Sequence, residues 1–417
     1  MRRRSFLKTI GGALGCVTPS SLLRPGAFLN PATTQRRGKA NVAVVGAGIF
    51  GMAAAIELRK RGHEVTMFEQ GGVPYERASS TDVSKFIRRL WYNDTYIELV
   101  ERSGKQWRIW HDQLSQNFYN QTGILNIVQD FTPGNSAYDS FQILEGRGAS
   151  IEILSPKEVR SRYPQFVIHD NETGVFDPWG GYLRSAQSLA DLAELARSEG
   201  IQIHEKTAVT QLDEGSDGVS LASEGRWPFF GRWRDSQTFD RVVVAAGPWI
   251  SKLAPHLGQK MEITLQQMGF FEPPDPKKFA PDIMPIWSIE GSDFYGFPLL
   301  PEGFVKVANG RGPVVHPDAE RIITPEFVER AKAFVADRMP ELARGRFVGG
   351  RSCLYTRTPD GDFVIDFLPG SERILVAGGG SGHGFKFGGS IGPVIADALE
   401  EKDHSLGGLF RIGDRFD

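Results

Sequence analysis

The chain has 417 residues, of which 40% are hydrophobic, 48 are Lys or Arg and 50 are Asp or Glu. This is the composition of a folded globular protein of two or three domains, and it excludes disorder, collagen and a membrane bundle. The formal net charge of −2 argues against a nucleic-acid partner, because neutralising phosphates needs a basic surplus. The only cysteines, Cys16 and Cys353, leave no room for a disulfide framework or a cysteine metal site, and we expect no metal.

The first thirty residues are basic and then weakly apolar. They begin Met-Arg-Arg-Arg-Ser-Phe-Leu-Lys, and the paired arginines resemble a twin-arginine export signal. We therefore expect the twin-arginine machinery to export the protein to the periplasm or the exterior; a disordered basic tail is the alternative. The apolar stretch is too short for a transmembrane segment. Cys16 is a poor lipid-anchor site, because the usual leucine three residues earlier is absent.

Loss of this segment would leave an acidic protein. Removing residues 1–30 changes the formal net charge from −2 to −7 and leaves one cysteine, which excludes an internal disulfide. The twin-arginine route carries folded cargo, commonly with a cofactor already bound. A cofactor site is therefore expected in the remaining chain.

Residues 41–69 carry a dinucleotide-binding pattern. The predicted elements are a strand over residues 42–45, a helix over 52–61 and a second strand over 65–68. Gly46, Gly48 and Gly51 have the spacing G-x-G-x-x-G between the first strand and the helix, where a tight turn brings the backbone close to a pyrophosphate. Glu69 ends the second strand and can accept hydrogen bonds from ribose hydroxyls.

Two later segments read as further strands of the same sheet. Residues 240–249 run from an apolar strand into a glycine turn, and residues 373–377 form a buried strand. The glycine-rich residues 378–384 and a helix over 389–399 follow, so a helix N-terminus would face an anionic flavin ring. A flavin is favoured over nicotinamide because a loosely held cofactor would be lost after export.

A lysine in the next apolar run is a candidate for burial. Lys306 lies in Gly-Phe-Val-Lys-Val-Ala and, at strand period, shares a face with Phe304 and Ala308. The alternative is an edge-strand lysine that blocks aggregation. The pattern leaves both open.

Two motifs near the C-terminus complete the set. Cys353 begins Cys-Leu-Tyr-Thr, and Lys386 lies 33 residues later in Ser-Gly-His-Gly-Phe-Lys-Phe. Together they resemble the monomeric sarcosine oxidase and N-methyltryptophan oxidase family of FAD-dependent amine oxidases, within the D-amino acid oxidase superfamily. The similarity extends, more weakly, over residues 41–401.

The resemblance implies roles for residues that the pattern alone leaves open. Cys353 would carry FAD through a thioether, Arg88 and Lys386 would hold a substrate carboxylate, and Lys306 would activate dioxygen. Tyr295 and Tyr355 would flank the substrate amine. The expected cofactor-binding residues are Gly46, Gly48, Gly51, Glu69, Lys85, Cys353, Gly382, His383 and Gly384. Without the resemblance, an inert buried cysteine, arginines on a solvated helix face and core tyrosines are the simpler interpretations.

Three positions depart from the family pattern. Thr81 replaces a histidine that precedes the carboxylate-binding arginine, and Lys85 replaces the arginine that lies against the flavin. Gly310 replaces a histidine four residues after the oxygen-activating lysine. We therefore expect a substrate other than sarcosine, and Gly310 indicates room for a larger or cyclic amine.

The predicted fold is α/β, with a Rossmann-type FAD-binding domain and an inserted α+β substrate domain that has a mostly antiparallel sheet. The predicted segments are 1–33 for the signal and linker, 40–115, 183–255 and 340–402 for the FAD-binding domain, 116–182 and 256–339 for the substrate domain, and 403–417 for the C-terminal tail.

The predicted activity is oxidation of an N-methyl or cyclic amino acid with a free carboxylate to an imine, with dioxygen reduced to hydrogen peroxide, by a monomer. Two alternatives stay open. One is an exported dehydrogenase that passes electrons to a quinone or carrier protein, and the other is a non-enzymatic flavin- or ligand-binding subunit.

Overall fold

The structure is a computed structural model that describes residues 38–90, 93–227, 231–401, 406 and 408–416. The predicted export signal and Cys16 lie outside the described residues. Within the part described, no helix is long and apolar enough to cross a membrane. The same residues contain no cluster of three or more His, Cys, Asp or Glu side chains arranged to hold a metal ion.

The described residues form twenty strands and ten α-helices. The strands are β1 Asn41–Val45, β2 Glu64–Phe68, β3 Lys85–Ile87, β4 Tyr119–Asn120, β5 Ile124–Val128, β6 Glu152–Leu154, β7 Thr173–Asp177, β8 Gly181–Leu183, β9 Gln202–His204, β10 Thr207–Gly215, β11 Gly218–Trp227, β12 Gly231–Phe239, β13 Arg241–Val244, β14 Glu262–Glu272, β15 Ile286–Ile289, β16 Phe294–Leu299, β17 Val305–Asn309, β18 Arg346–Arg357, β19 Val364–Phe367 and β20 Ile374–Gly378. The α-helices are α1 Ile49–Lys60, α2 Asp94–Leu114, α3 Ser136–Gly146, α4 Pro156–Arg162, α5 Ser185–Ser198, α6 Ile250–Leu253, α7 Pro255–Gly258, α8 Pro325–Arg338, α9 Pro340–Ala343 and α10 Gly388–Leu399.

A six-stranded sheet has the order β19-β20-β13-β1-β2-β9. Strands β20, β13, β1, β2 and β9 are parallel, and β19 is antiparallel at the edge. Their apolar runs are buried on both faces, as parallel strands require. The predicted return of the C-terminal strand and helix to this sheet is confirmed, because β20 pairs with β13 and α10 packs on α1.

An eight-stranded sheet has the order β18-β14-β17-β16-β15-β5-β7-β6. Its pairs are antiparallel except β15 with β5, which are parallel. This agrees with the prediction of a mostly antiparallel second sheet. The predicted boundary at residue 340 assigns Cys353 to the FAD-binding domain, yet the strand that carries Cys353, β18, pairs with β14 of this sheet. The domain boundaries themselves stay a prediction.

Two smaller sheets complete the fold. Strands β10, β11 and β12 form an antiparallel sheet, and β3, β8 and β4 form another. Strand β3 matters for function, because Lys85 begins it and Arg88 directly follows its last residue, Ile87. The predicted alternative of a solvated helix face for Arg88 and Arg89 is therefore wrong. Arg89 is buried, and its guanidinium binds both carboxylate oxygens of Asp177 at 2.7 and 3.0 Å.

Candidate active site

Only glycine fits at two positions here, one in the turn between β1 and α1 and one in the first turn of α1. Gly46 has a φ of +103°, and a Cβ atom there would lie 2.4 Å from the Ala245 carbonyl oxygen. A Cβ on Gly51 would lie 1.9 Å from the Gly46 carbonyl oxygen. Helix α1 begins at Ile49, so its N-terminus faces the space that these glycines keep open. This geometry suits the phosphates of a dinucleotide.

Glu69 follows β2 and joins the same turn. Its carboxylate accepts hydrogen bonds from the backbone N–H groups of Ala47 and Gly71, each at 2.9 Å. Burial raises the pKa of Glu69, against the opposing effect of these hydrogen bonds. A carboxylate has about four acceptor positions, so the two backbone bonds leave capacity for ribose hydroxyls.

A groove of about 370 Å³ runs from this turn past the carboxyl ends of β1, β2, β13 and β20 in the six-stranded sheet. Its lining includes Gly46, Gly48, Glu69, Gly382 and Gly384. The buried hydroxyl oxygens of Ser79 and Thr356, which also border the groove, have no hydrogen-bond partner among the described residues. Buried hydroxyls without a partner on the wall of a groove indicate a polar ligand there.

One face of the eight-stranded sheet carries the remaining candidates. Directly paired residues point to the same face, and the pairs Met268 with Arg351, Met268 with Ala308, and Tyr295 with Ala308 define one row across four strands. Because side chains alternate along a strand, the same face also bears Lys306 on β17 and Cys353 and Tyr355 on β18. Residues far apart in sequence are thereby collected over one surface.

Lys306 is buried in the interior of this sheet. Only 1% of it is exposed, and β17 lies between β14 and β16, so the edge-strand alternative is wrong. Its ammonium donates to Asp82 Oδ2 at 2.6 Å and to the Ser84 carbonyl oxygen at 2.8 Å. Burial lowers the pKa of Lys306 to about 8, and the Asp82 carboxylate opposes a larger fall.

Asp82 is the shared counter-ion of two lysines. Burial acts to raise its pKa, but Lys306, Lys85 and Arg351 outweigh that effect and lower the pKa to about 2. The Lys85 ammonium lies 3.4 Å from the same Oδ2 atom. The site therefore holds one carboxylate and two ammonium groups at neutral pH.

Cys353 lies beside this charge cluster. It is 3% exposed, and its Sγ atom is 3.9 Å from the Lys85 ammonium. Burial acts to lower the pKa of Lys85, but Cys353 and Asp82 outweigh it and raise the pKa. A neighbouring ammonium stabilises a thiolate, which is the reactive form of cysteine.

Two tyrosines form a pair above the same face. The Tyr295 and Tyr355 hydroxyl oxygens are 3.0 Å apart. Burial raises the pKa of both phenols, so both stay neutral near pH 7.

A second cavity of about 870 Å³ opens on the far side of these tyrosines. Arg88 and Lys386 both line it, and Lys386 donates to the His383 carbonyl oxygen at 3.0 Å. Burial and then the positive charge of Arg88 lower the pKa of Lys386 well below its usual value. Two cations on one cavity wall would both be stabilised by an anionic ligand.

The groove and the cavity adjoin each other. Lys85, Tyr355, Gly382 and Phe385 line both spaces. A ligand extended along the groove would therefore end beside the wall that Arg88 and Lys386 line. This adjacency is what a cofactor and substrate pair requires.

Most of the predicted site residues line the groove or the cavity, whereas Gly51, Lys306 and Cys353 line neither. His383, predicted to bind cofactor, lines the cavity and not the groove; burial, with the charge of Lys386, lowers its pKa to about 3. Thr81 lines neither space. Gly310 lines the cavity, where its lack of a side chain is expected to leave room for a larger amine. Asp293 also lines the cavity and limits that room, because a Cβ atom built on Gly310 would lie 3.5 Å from the Asp293 carboxylate.

Asp82 was missed by the sequence reasoning. A buried lysine needs a carboxylate partner, so the prediction of a buried Lys306 is itself a signal to search for one. The partner, however, is 224 residues away in the chain.

The family model described as "DAO: FAD dependent oxidoreductase" matches residues 41–398. This chain belongs to that family. A monomeric sarcosine oxidase from Bacillus sp. (strain B-0618) is 30% identical over 388 residues, which cover 89% of this chain and 95% of that protein. An N-methyl-L-tryptophan oxidase from Yersinia pestis (strain Pestoides F) is 26% identical over 370 residues, covering 86% and 94%.

Solved structures agree on the fold. The L-proline dehydrogenase of P. horikoshii superposes with a TM-score of 0.76 at 21% identity, and the match covers 89% of this chain and 96% of that one. The predictions of an FAD-dependent oxidoreductase and of its fold class are confirmed. The DAO-family cofactor also fits the residues present, because the glycine turn, Glu69 and the unsatisfied hydroxyls of Ser79 and Thr356 offer what an adenine dinucleotide needs.

Proposed function

We propose that this DAO-family protein is an oxidase of secondary amino acids, N-methyl or cyclic, that forms an imine and reduces dioxygen to hydrogen peroxide. The observation that carries the proposal is the adjacency of the cofactor groove to a cavity lined by Arg88 and Lys386. The names of the relatives support the substrate class, since they include a sarcosine oxidase and an N-methyl-L-tryptophan oxidase.

Arg88 and Lys386 bind the substrate carboxylate. A guanidinium holds a carboxylate through two parallel N–H bonds, and an ammonium adds a point charge. An incoming anion restores the pKa of Lys386, because it offsets the burial and the Arg88 charge that lower it. Carboxylate binding thus fixes one end of the substrate on the cavity wall.

Tyr295 and Tyr355 orient the amine. Because both hydroxyls are neutral, each can accept a hydrogen bond from the amine or donate one to it without adding charge. The substrate then loses a hydride equivalent and the amine proton, and water hydrolyses the imine. FAD, when bound, supplies the acceptor for the hydride equivalent and returns the electrons to dioxygen.

Lys306 supplies a fixed positive charge for the oxygen reaction. Dioxygen gains negative charge as it is reduced, and a buried ammonium held by Asp82 and Ser84 stabilises that charge without reorganising. Its burial and its distance from bulk water strengthen the effect.

Cys353 attaches FAD through a thioether in this proposal. Cys353 would supply the sulfur nucleophile for a flavin ring methyl carbon, and the Lys85 ammonium lies 3.9 Å from its Sγ atom. Attachment would release the thiol proton and one methyl proton, and it would need a two-electron oxidant, for which dioxygen would serve with formation of hydrogen peroxide. Acid-precipitated protein should stay yellow, and Cys353→Ala should release the colour; a yellow supernatant from the unmodified protein would refute attachment.

Export by the twin-arginine route is part of the same proposal. The paired Arg2 and Arg3 support it, and a cofactor loaded in the cytoplasm requires a route for folded cargo. Replacing both arginines with lysine should retain the protein in the cytoplasm, as measured by fractionation and immunoblotting. Equal export of the two forms would contradict this route.

The activity is tested with purified protein in two steps. Anaerobic mixing with sarcosine, N-methyl-L-tryptophan and L-proline should bleach the flavin absorbance with at least one of them, and admitting air should restore it with stoichiometric peroxide. Bleaching followed by dye reduction without peroxide would favour a dehydrogenase. No bleaching across a wider panel of secondary amino acids would favour a non-enzymatic subunit.

A further inference from the structure

Two polar side chains extend the active-site face of the eight-stranded sheet. Ser288 on β15 is the cross-strand partner of Tyr295, and Asn126 on β5 is the cross-strand partner of Ser288. Directly paired residues share a face, so Tyr295, Ser288 and Asn126 form one row. Both polar residues line the cavity that also contains Arg88 and Lys386. We call this pair the Ser288–Asn126 ledge.

The ledge is hydrogen-bonded internally. The Ser288 hydroxyl donates to Asn126 Oδ1 at 2.6 Å, and Asn126 is only 4% exposed. In this arrangement the Asn126 NH₂ group is left as a donor and the Ser288 oxygen as an acceptor. If the Asn126 carboxamide is rotated by 180°, its NH₂ group donates to Ser288, so the Ser288 hydroxyl becomes the free donor and Asn126 Oδ1 the acceptor. In both orientations the ledge presents one donor and one acceptor side by side. That is the complement of a primary carboxamide.

The spacing of the strands places the ledge farther along the sheet than Tyr295, which is proposed to contact the substrate amine. Neighbouring strands are about 4.8 Å apart, so Ser288 and Asn126 lie roughly 5 and 10 Å from Tyr295 along the sheet. The cavity of about 870 Å³ is far larger than an N-methyl amino acid with no side chain requires. A side chain that starts at the carboxylate wall and crosses the cavity can therefore reach the ledge.

We propose that the Ser288–Asn126 ledge is a specificity subsite for a substrate side chain that ends in a primary carboxamide, as in N-methyl-L-glutamine. This inference rests on the proposed function, because it takes the carboxylate to be held by Arg88 and Lys386. The substrate carbonyl accepts from Asn126, and the substrate NH₂ group donates to Ser288. An alkyl side chain of the same shape leaves both ledge groups unsatisfied, which a buried polar site penalises.

The test compares two substrates of equal shape. N-Methyl-L-glutamine and N-methyl-L-homoleucine differ only at the end of the side chain, which is a carboxamide in the first and an isopropyl group in the second. Wild-type holoprotein, Asn126→Leu and Ser288→Ala are compared by kcat/KM from anaerobic flavin bleaching and turnover. We expect wild type to prefer the amide, and each variant to lower the amide-to-alkyl ratio roughly tenfold, chiefly by weakening the amide substrate.

Matched controls make the same replacements elsewhere. Asn117→Leu and Ser236→Ala change exposed residues whose side chains bond to Asn120 and Ser220, and both should leave the ratio unchanged. A structural role for the ledge would lower activity on both substrates equally and keep the ratio, which would overturn the proposal. Absence of an amide preference in wild type would also overturn it.

A binding measurement separates this inference from the proposed function. If no secondary amino acid bleaches the flavin, the proposed oxidase activity fails. Glutaramate and 5-methylhexanoate, the matching carboxylates without an amine, can still be titrated into the holoprotein by their perturbation of flavin absorbance. Tighter binding of glutaramate that is lost in Asn126→Leu supports the ledge, and equal binding of the two ligands refutes it.

Discussion

Lys306 and Lys386 are both buried lysines in the active site, and the chain surrounds them differently. The Lys306 ammonium contacts the Asp82 carboxylate at 2.6 Å, a counter-ion built into the protein. Lys386 shares the cavity wall with Arg88, whose positive charge, after burial, lowers its pKa. Lys306 thus sits in direct contact with a carboxylate, and Lys386 sits beside a second cationic side chain.

The difference separates two kinds of task. A cation with an internal counter-ion keeps its place whether or not a ligand is bound, which suits a reaction with a neutral molecule such as dioxygen. Two cations side by side gain most when an anion arrives, which suits capture of a substrate carboxylate. The comparison predicts that mutations can slow one half-reaction without the other. The two half-reactions are reduction of the flavin by substrate and reoxidation of the flavin by dioxygen.

The largest effect should follow removal of the Arg88 guanidinium. Arg88→Met removes the bidentate partner of the substrate carboxylate, and we expect kcat/KM for the best substrate to fall by about 1000-fold. Anaerobic flavin bleaching against substrate concentration measures this loss. The rate at which dioxygen reoxidises the reduced flavin should stay within about twofold, since Lys306 keeps its counter-ion.

A surface arginine provides the matched control. Arg102 on α2 is 55% exposed and pairs with Glu98, so Arg102→Met should leave both half-reactions unchanged. An equal loss of reoxidation in Arg88→Met would mean that the two cationic regions are one functional unit, contrary to the comparison.

The second-largest effect should be on the oxygen reaction and not on substrate oxidation. Lys306→Met keeps an unbranched side chain but removes the charge, and we expect reoxidation by dioxygen to slow by about 100-fold or more. Anaerobic bleaching by substrate should change far less. Lys278→Met is the control, because Lys278 is exposed and pairs with Glu341. Unchanged oxygen kinetics in Lys306→Met would remove the role assigned to Lys306.

The cofactor half of this arrangement could be predicted from local sequence. The glycine spacing, the acidic residue at the end of β2 and the apolar strands all act over short segments, and the structure has β1 at Asn41–Val45 and α1 at Ile49–Lys60 close to the predicted bounds. Burial of Lys306 was also visible as an open alternative, since strand period puts it beside Phe304 and Ala308.

The substrate half depends on pairing that no local pattern reveals. Asp82, which precedes β3, meets Lys306 on β17, and Ser288 meets Asn126 through the parallel pair β15 and β5. Register across such distant segments is fixed by the whole core. For the same reason, the motif around His383 predicts that this residue lies near the site, but it does not predict that His383 lines the cavity and not the cofactor groove.

The smallest predicted effect is a pH dependence confined to the oxygen reaction. Only the ammonium form of Lys306 carries the charge that stabilises reduced oxygen, and the pKa of Lys306 is lowered to about 8. Reoxidation should therefore be constant at lower pH and decline as the pH rises through about 8, because deprotonation removes the charge. The bleaching step should lack this inflection at the same pH.

Asp82→Asn tests the cause of that inflection with little change in size. The Asp82 carboxylate is what raises the pKa of Lys306 against burial, so its neutral replacement should move the inflection to lower pH by one unit or more. A shift of one unit makes reoxidation at pH 8 about fivefold slower than in wild type while the two enzymes converge at lower pH. Stopped-flow reoxidation from pH 6 to 10 measures both curves. An inflection that stays near pH 8 in Asp82→Asn would assign it to another group and would contradict the role given to Lys306.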